Sequence, residues 1–140
     1  MGSRKQQDAI GPINIRLEAP QWRAVPGVEA EIHKAARCAL AAEQRSGAAV
    51  NILLSDDKSV RALNSQFRHI DKPTNVLSFP AAEGPGKGNA LGDIILGFET
   101  VAREAKEQNK TFLHHAQHLT MHGVLHLLSF DHERDRRKGG

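Results

Sequence analysis

The sequence predicts an α+β domain in which helices pack against one sheet, and three observations lead there. Apolar and polar residues alternate over 13–18 and again over 50–54, the period of a half-buried strand. Apolar positions recur every three or four residues over 28–40 and 57–67, the period of a helix lying on a core. The patterns then follow one another as βαβαββαα, with no internal repeat or linker. With 140 residues, 39% AVILMFWYC and twelve glycines, the chain has the material for one domain with its own core. Disordered and fibrous classes are excluded on that count.

The first strand rests on Ile13, Ile15 and Leu17, which alternate with Asn14, Arg16 and Glu18. Pro20 and Pro26-Gly27 interrupt the chain before a helix whose stripe is Val28, Ile32, Ala35, Ala36, Ala39 and Leu40. That helix is expected to end near Ser46-Gly47. The lone cysteine, Cys38, reads as a small buried position on it; one cysteine can form no internal disulfide, which suits a reducing, cytoplasmic setting. Val50, Ile52 and Leu54 restore the strand period, and Ser55-Asp56-Asp57 offers caps for a helix carrying Val60, Leu63 and Phe67 and ending at Arg68. Pro73 lacks an amide hydrogen, so HIDKPT is a loop leading to a short strand, NVLSF, closed by Pro80.

The glycine-rich EGPGKGN at 83–89 is a loop and not a phosphate cradle, because Gly88 stands where the Walker pattern needs Ser or Thr. LGDIILGF at 91–98 reads as a buried strand, and Thr100 as the cap of a helix with Val101, Ala102 and Ala105 inward. Asn109-Lys110-Thr111 breaks that helix, and a last one is expected over 112–128. The first twelve residues read as a mobile N-terminal arm, 13–135 as the domain and 136–140 as a basic tail. No run of about 18 apolar residues is present, so no membrane span is expected. The formal charge of +3 and a pI near 9.3 allow a polyanionic partner without requiring one.

Chemistry concentrates in MHGVLHLLSFDH at 121–132, where His122, His126 and His132 follow the pattern H-x3-H-x5-H. Residues four apart share one helical face, so His122 and His126 can converge on one ion. His118 also lies on that face, but residues eight apart are about 12 Å apart along a helix axis. Zn–N bonds of about 2.1 Å cannot span that, so a third nitrogen requires a bend, for which Ser129 is the expected place and His132 the expected donor. Three histidines with one open position is the donor set of catalytic zinc. The site is therefore expected at the end of the last long helix. Asp131 could fix a ligand's tautomer, and His118 could orient a ligand or touch substrate. His114 and His115 read as surface groups or as supports behind the ligands. Gly123 stands where H-E-x-x-H peptidases carry a glutamate base, which disfavours peptide hydrolysis; it would also let substrate or backbone approach the ion.

Three blocks together resemble the YbeY family: R-x-x-D-K-P-T-N-V-L-S-F-P from Arg68 to Pro80, L-G-D-I from Leu91 to Ile94, and the histidine stretch, whose family form is H-G-x-L-H-L-x-G-Y-D-H. The resemblance implies a mixed four-stranded sheet with helices and a zinc-dependent, single-strand-specific endoribonuclease. Its implied work is maturation of the 16S rRNA 3′ end and ribosome quality control, with rRNA and the ribosome (30S or 70S) as partners and ribosomal proteins as further ones. It makes His122, His126 and His132 the zinc ligands and Arg68 the functional arginine; Arg68, with Lys72 beside it, suits a phosphodiester. Ser129 departs from the motif glycine and Phe130 from its tyrosine, and the chain ends in ERDRRKGG where the family has an acidic helix. The rival readings are a zinc metallopeptidase and a non-catalytic ribosome-assembly factor with a structural zinc.

Overall fold

The computed structural model describes residues 13–68, 75–82 and 88–139, without the side chains of 67, 68 and 135–139. Four strands, β1 (Ile13–Leu17), β2 (Ala49–Ser55), β3 (Val76–Pro80) and β4 (Ala90–Gly97), form one sheet in the order β1-β2-β4-β3. β1 runs parallel to β2 and β2 to β4, while β3 lies antiparallel to β4. The sheet is thus mixed, and the α+β class holds. The helices are α1 (Val28–Ala42), α2 (Asp57–Arg68), α3 (Phe98–Glu107) and α4 (Phe112–Gly139), with a 3-10 turn at Pro20–Ala24.

The two faces of the sheet carry different covers, as strand periodicity requires. One face presents Val50, Ile52, Leu54, Ile94 and Leu96 to α1 and α4, making the main core. The expected stripe of α1, Val28 through Leu40, is buried in it. Trp22, fully buried, closes one end of this core, its indole N–H donating to the Ser55 carbonyl at 2.7 Å and its ring edge-on to Phe98 and Phe112. The opposite face packs Leu53, Leu77 and Ile95 under Val60 and Leu63 of α2. Farther along it the sheet is polar: Asn14 donates to Asn51, and Asn51 to Asp93, at 3.1 and 3.0 Å.

Helix ends follow local chemistry. Asp56 caps α2 by accepting from the Ser59 amide at 2.8 Å, a bond that holds its carboxyl below the usual range. α1 and α3 each end with a left-handed residue, Gln44 (φ 58) and Asn109 (φ 56). The next amides, Arg45 and Lys110, turn back to the carbonyls of Leu40 and Ala105, completing Schellman turns.

Several expectations are corrected. α1 stops at Ala42 and not near 46–47, because the Gln44 turn ends it. Cys38 is exposed, since it falls between the buried positions of the α1 stripe. Thr100 does not cap α3, which starts two residues earlier at Phe98; instead its amide and hydroxyl donate to the Asp57 carboxylate at 3.0 and 2.7 Å, tying the starts of α2 and α3 together. The largest difference is α4, expected to end at Leu128 and found to run unbroken to Gly139.

Candidate metal and RNA site

Thr111 caps the start of α4, its hydroxyl accepting from the His114 amide at 3.0 Å. Its buried side, Ala116, Leu119, Thr120, Val124, Leu127 and Leu128, lies on α1, β3 and β4. Gly123 belongs to that buried side: a Cβ there would lie 3.1 Å from Ile94 Cγ2. The glycine therefore serves close helix–sheet approach and does not open a path to an ion. With the core side so placed, His118, His122 and His126 are all exposed. His118 and His122 rings lie 6.5 Å apart, so His118 stands beside the candidate ligand pair. Burial, then the positive charge of Lys110 and the neighbouring histidines, lowers the pKa of His118 from its ordinary value.

His115 is not a surface group. It is buried, its Nε2 lies 2.9 Å from Glu104 of α3, and its Nδ1 has no hydrogen-bond partner among the described residues. Asn75, the first described residue of the NVLSF block, donates to the same carboxylate at 3.1 Å. Burial alone would raise the Glu104 carboxyl, but the hydrogen bonds from His115 and Asn75 hold it below its usual range. Glu104 thus ties the first of the three sequence blocks to the first turns of the histidine helix, and His115 stacks on His118 at 6.2 Å. Sequence reading missed Glu104, because nothing local marks an acid on a surface helix as the hub of a contact between distant segments.

The bend expected at Ser129 is absent. Ser129 does not adopt a positive φ, and Asp131 and Arg134 beyond it meet Arg45 and the Ala81 carbonyl from the continuing helix. Asp131, 7% exposed, accepts from Arg45 at 3.2 Å; Arg134 donates to the Ala81 carbonyl at 3.0 Å and lies over the Phe130 ring. His132 is exposed and faces a hollow of about 540 Å³ lined by Glu43, Arg45, Leu125, Leu128 and Ser129. In a continuous helix it stands about 9 Å beyond His126 and about 120° around the axis. The structure therefore brings His122 and His126 to one face and leaves His132 on another. As folded, the three do not fit a single zinc ion, and among the described residues no group of three His, Cys, Asp or Glu is placed to hold a metal. Arg68 closes α2, but its side chain, like the whole of Lys72, lies outside the described residues. Among the described residues no helix is long and apolar enough to cross a membrane.

The profile of the family described as Endoribonuclease YbeY matches residues 17–139. A protein of Nitrobacter hamburgensis named Endoribonuclease YbeY is 43% identical over 94% of this chain and 73% of its own length. One of Azorhizobium caulinodans with the same name is 48% identical over 88% of this chain and 80% of its own. A solution structure of a Thermotoga maritima protein superposes with a TM-score of 0.56 at 28% identity, covering 82% of this chain and 71% of that one. The match spans the three sequence blocks and the sheet that gathers them, and the chain belongs to the YbeY endoribonuclease family.

Proposed function

We propose that this protein is an endoribonuclease that cuts single-stranded RNA during rRNA processing, in maturation of the 16S rRNA 3′ end and in ribosome quality control, in the cytoplasm. The observation that carries the reading is the Asn75–Glu104–His115 link, which joins the DKPTNVLSFP block to the helix bearing the exposed His122 and His126. Its curated relatives bear the name of an endoribonuclease. The proposed partners are rRNA and the 30S subunit or 70S ribosome, with ribosomal proteins presenting the substrate. Arg68 is the proposed catalytic arginine, since a guanidinium holds two phosphodiester oxygens at once and offsets charge as it grows. Lys72 is proposed to add a phosphate contact.

Zinc is the proposed cofactor, with His122, His126 and His132 as its donors. His118 is proposed to touch substrate, and Asp131 to support the third donor. The peptidase reading loses further ground, because position 123 is packed against Ile94 and has no room for a carboxylate base. A single-stranded RNA cleavage assay with wild type, Arg68→Glu and His126→Ala, beside casein as control substrate, tests the reading. RNA cleavage by wild type with at least tenfold loss in both variants is expected. Casein cleavage, or RNA cleavage undiminished in Arg68→Glu, would overturn it.

A further inference from the structure

The carboxylate of Glu104 is a meeting point of three separate segments. Its Oε1 accepts from Asn75 Nδ2 at 3.1 Å and lies 2.9 Å from His115 Nε2, while its Oε2 lies 3.4 Å from the same Asn75 nitrogen. The carboxyl is held below its ordinary range, so it is ionised and accepts from both partners. His115 therefore carries a proton on Nε2. Its Nδ1 is buried without a hydrogen-bond partner among the described residues. A residue kept for packing alone has no need of that nitrogen, because an apolar side chain would fill the place and leave no buried polar atom unpaired. The two ends of the link lead to different parts of the candidate site. Asn75 ends the run DKPTN, seven residues beyond Arg68. His115 stacks on His118 with the rings 10° from parallel, and His118 is exposed beside His122.

We infer that Glu104 is a positioning residue for RNA cleavage: its one carboxylate fixes Asn75 against His115, and so holds the segment carrying Arg68 and Lys72 in register with His118 on α4. The inference rests on the proposed nuclease function and on the roles given there to Arg68 and His118. Groups delivered by different segments lose rate steeply when their spacing drifts, even where each is still present. α2 and α4 cover opposite faces of the sheet, so the site needs groups that join one side to the other, and Glu104 is such a group. Both bonds converge on Oε1, so a glutamine carbonyl in its place can accept both, whereas alanine can accept neither. Geometry, more than charge, is what the link requires of position 104. The start of α3 is fastened separately by Thr100, whose hydroxyl donates to Asp57 at 2.7 Å. That bond secures the same helix without reaching Asn75 or His115, and so separates a general loosening of α3 from loss of the link.

The test measures steady-state cleavage of a labelled single-stranded RNA by wild type, Glu104→Ala, Asn75→Ala, their double variant, Glu104→Gln and Thr100→Val, with a denaturation curve for each. Glu104→Ala and Asn75→Ala should each lower kcat at least tenfold, with KM within about twofold of wild type. The double variant should lose no more than Glu104→Ala alone, because residues that act as a unit are not additive. Glu104→Gln should keep kcat within about threefold of wild type. Thr100→Val should keep it within about twofold although its denaturation midpoint falls. Should Glu104→Ala fail to fold, Asn75→Ala carries the test, since it severs the link at its less buried end. Wild-type kcat in folded Asn75→Ala, additive losses in the double variant, or a loss in Thr100→Val equal to that in Glu104→Ala would overturn the inference and leave the nuclease reading standing. No RNA cleavage by wild type would overturn that reading and the inference with it.

Discussion

The two parts of α4 are one helix by backbone but differ in what holds them. Up to Leu128 the helix is pinned by apolar burial: Ala116, Val124 and Leu127 are at most 1% exposed, and Gly123 draws the axis close to Ile94. Beyond Leu128 Asp131 is the buried side chain among the described ones, and Arg45 donates a charged hydrogen bond to it. Phe130, at 40% exposure, contributes a ring to Arg134 and little to the core. Burial scales with area and is hard to undo locally, whereas a part-exposed ion pair is screened and readily exchanged for water. The first part is therefore scaffold and the second is adjustable, and the candidate ligands straddle the boundary.

Substitutions on either side should break the comparison if it is wrong. Leu127→Ala deletes fully buried methyl groups and is expected to cost about 2–5 kcal/mol in chemical denaturation. Phe130→Ala, on the other side of Leu128, should cost about 1 kcal/mol, because its ring is 40% exposed and lies outside the main core. Equal losses from the two would show that the far part of the helix is as firmly packed as the near one.

Asp131→Asn removes the charge that Arg45 meets and should cost about 1 kcal/mol. That loss should be localised: faster amide hydrogen exchange is expected in 129–134, with protection over 116–127 unchanged. Spread of the faster exchange into 116–127 would contradict two separable parts.

A smaller effect concerns acid stability at the start of the helix. The Glu104 carboxyl is held below its ordinary value, so the folded state favours the ionised form. Its contribution is present above the unfolded carboxyl's pKa and is lost as pH falls through the lower folded value. Glu104→Gln should flatten the acid limb of the stability profile below about pH 4.5, and His115→Gln should do so less. An unchanged acid limb in Glu104→Gln would remove Glu104 as the hub between Asn75 and His115.

Much of the fold was legible because it rests on short-range periodicity. The alternation of Ile13, Ile15 and Leu17 and the stripe from Val28 to Leu40 depend on which side of one element faces the core, and spacing alone states that. The α2 cap at Asp56 was legible for the same reason, as a side chain meeting an amide three residues away. The Glu104 hub, the buried state of His115 and the packing of Gly123 on Ile94 join residues distant in sequence, and no local pattern announces them. Cys38 shows the finer limit: one position of error around a helix exchanges core for solvent.

The sequence by itself determined the elements, their order and the two histidines four apart, because these follow from backbone geometry and side-chain periodicity. Only the tertiary structure decided whether the last helix stops. Ser129 carries neither a glycine's freedom nor a proline's veto, so its local preference is close to neutral. Arg45, delivered from the end of another helix, and the Ala81 carbonyl, at the end of a strand, tip that balance towards a helix that continues.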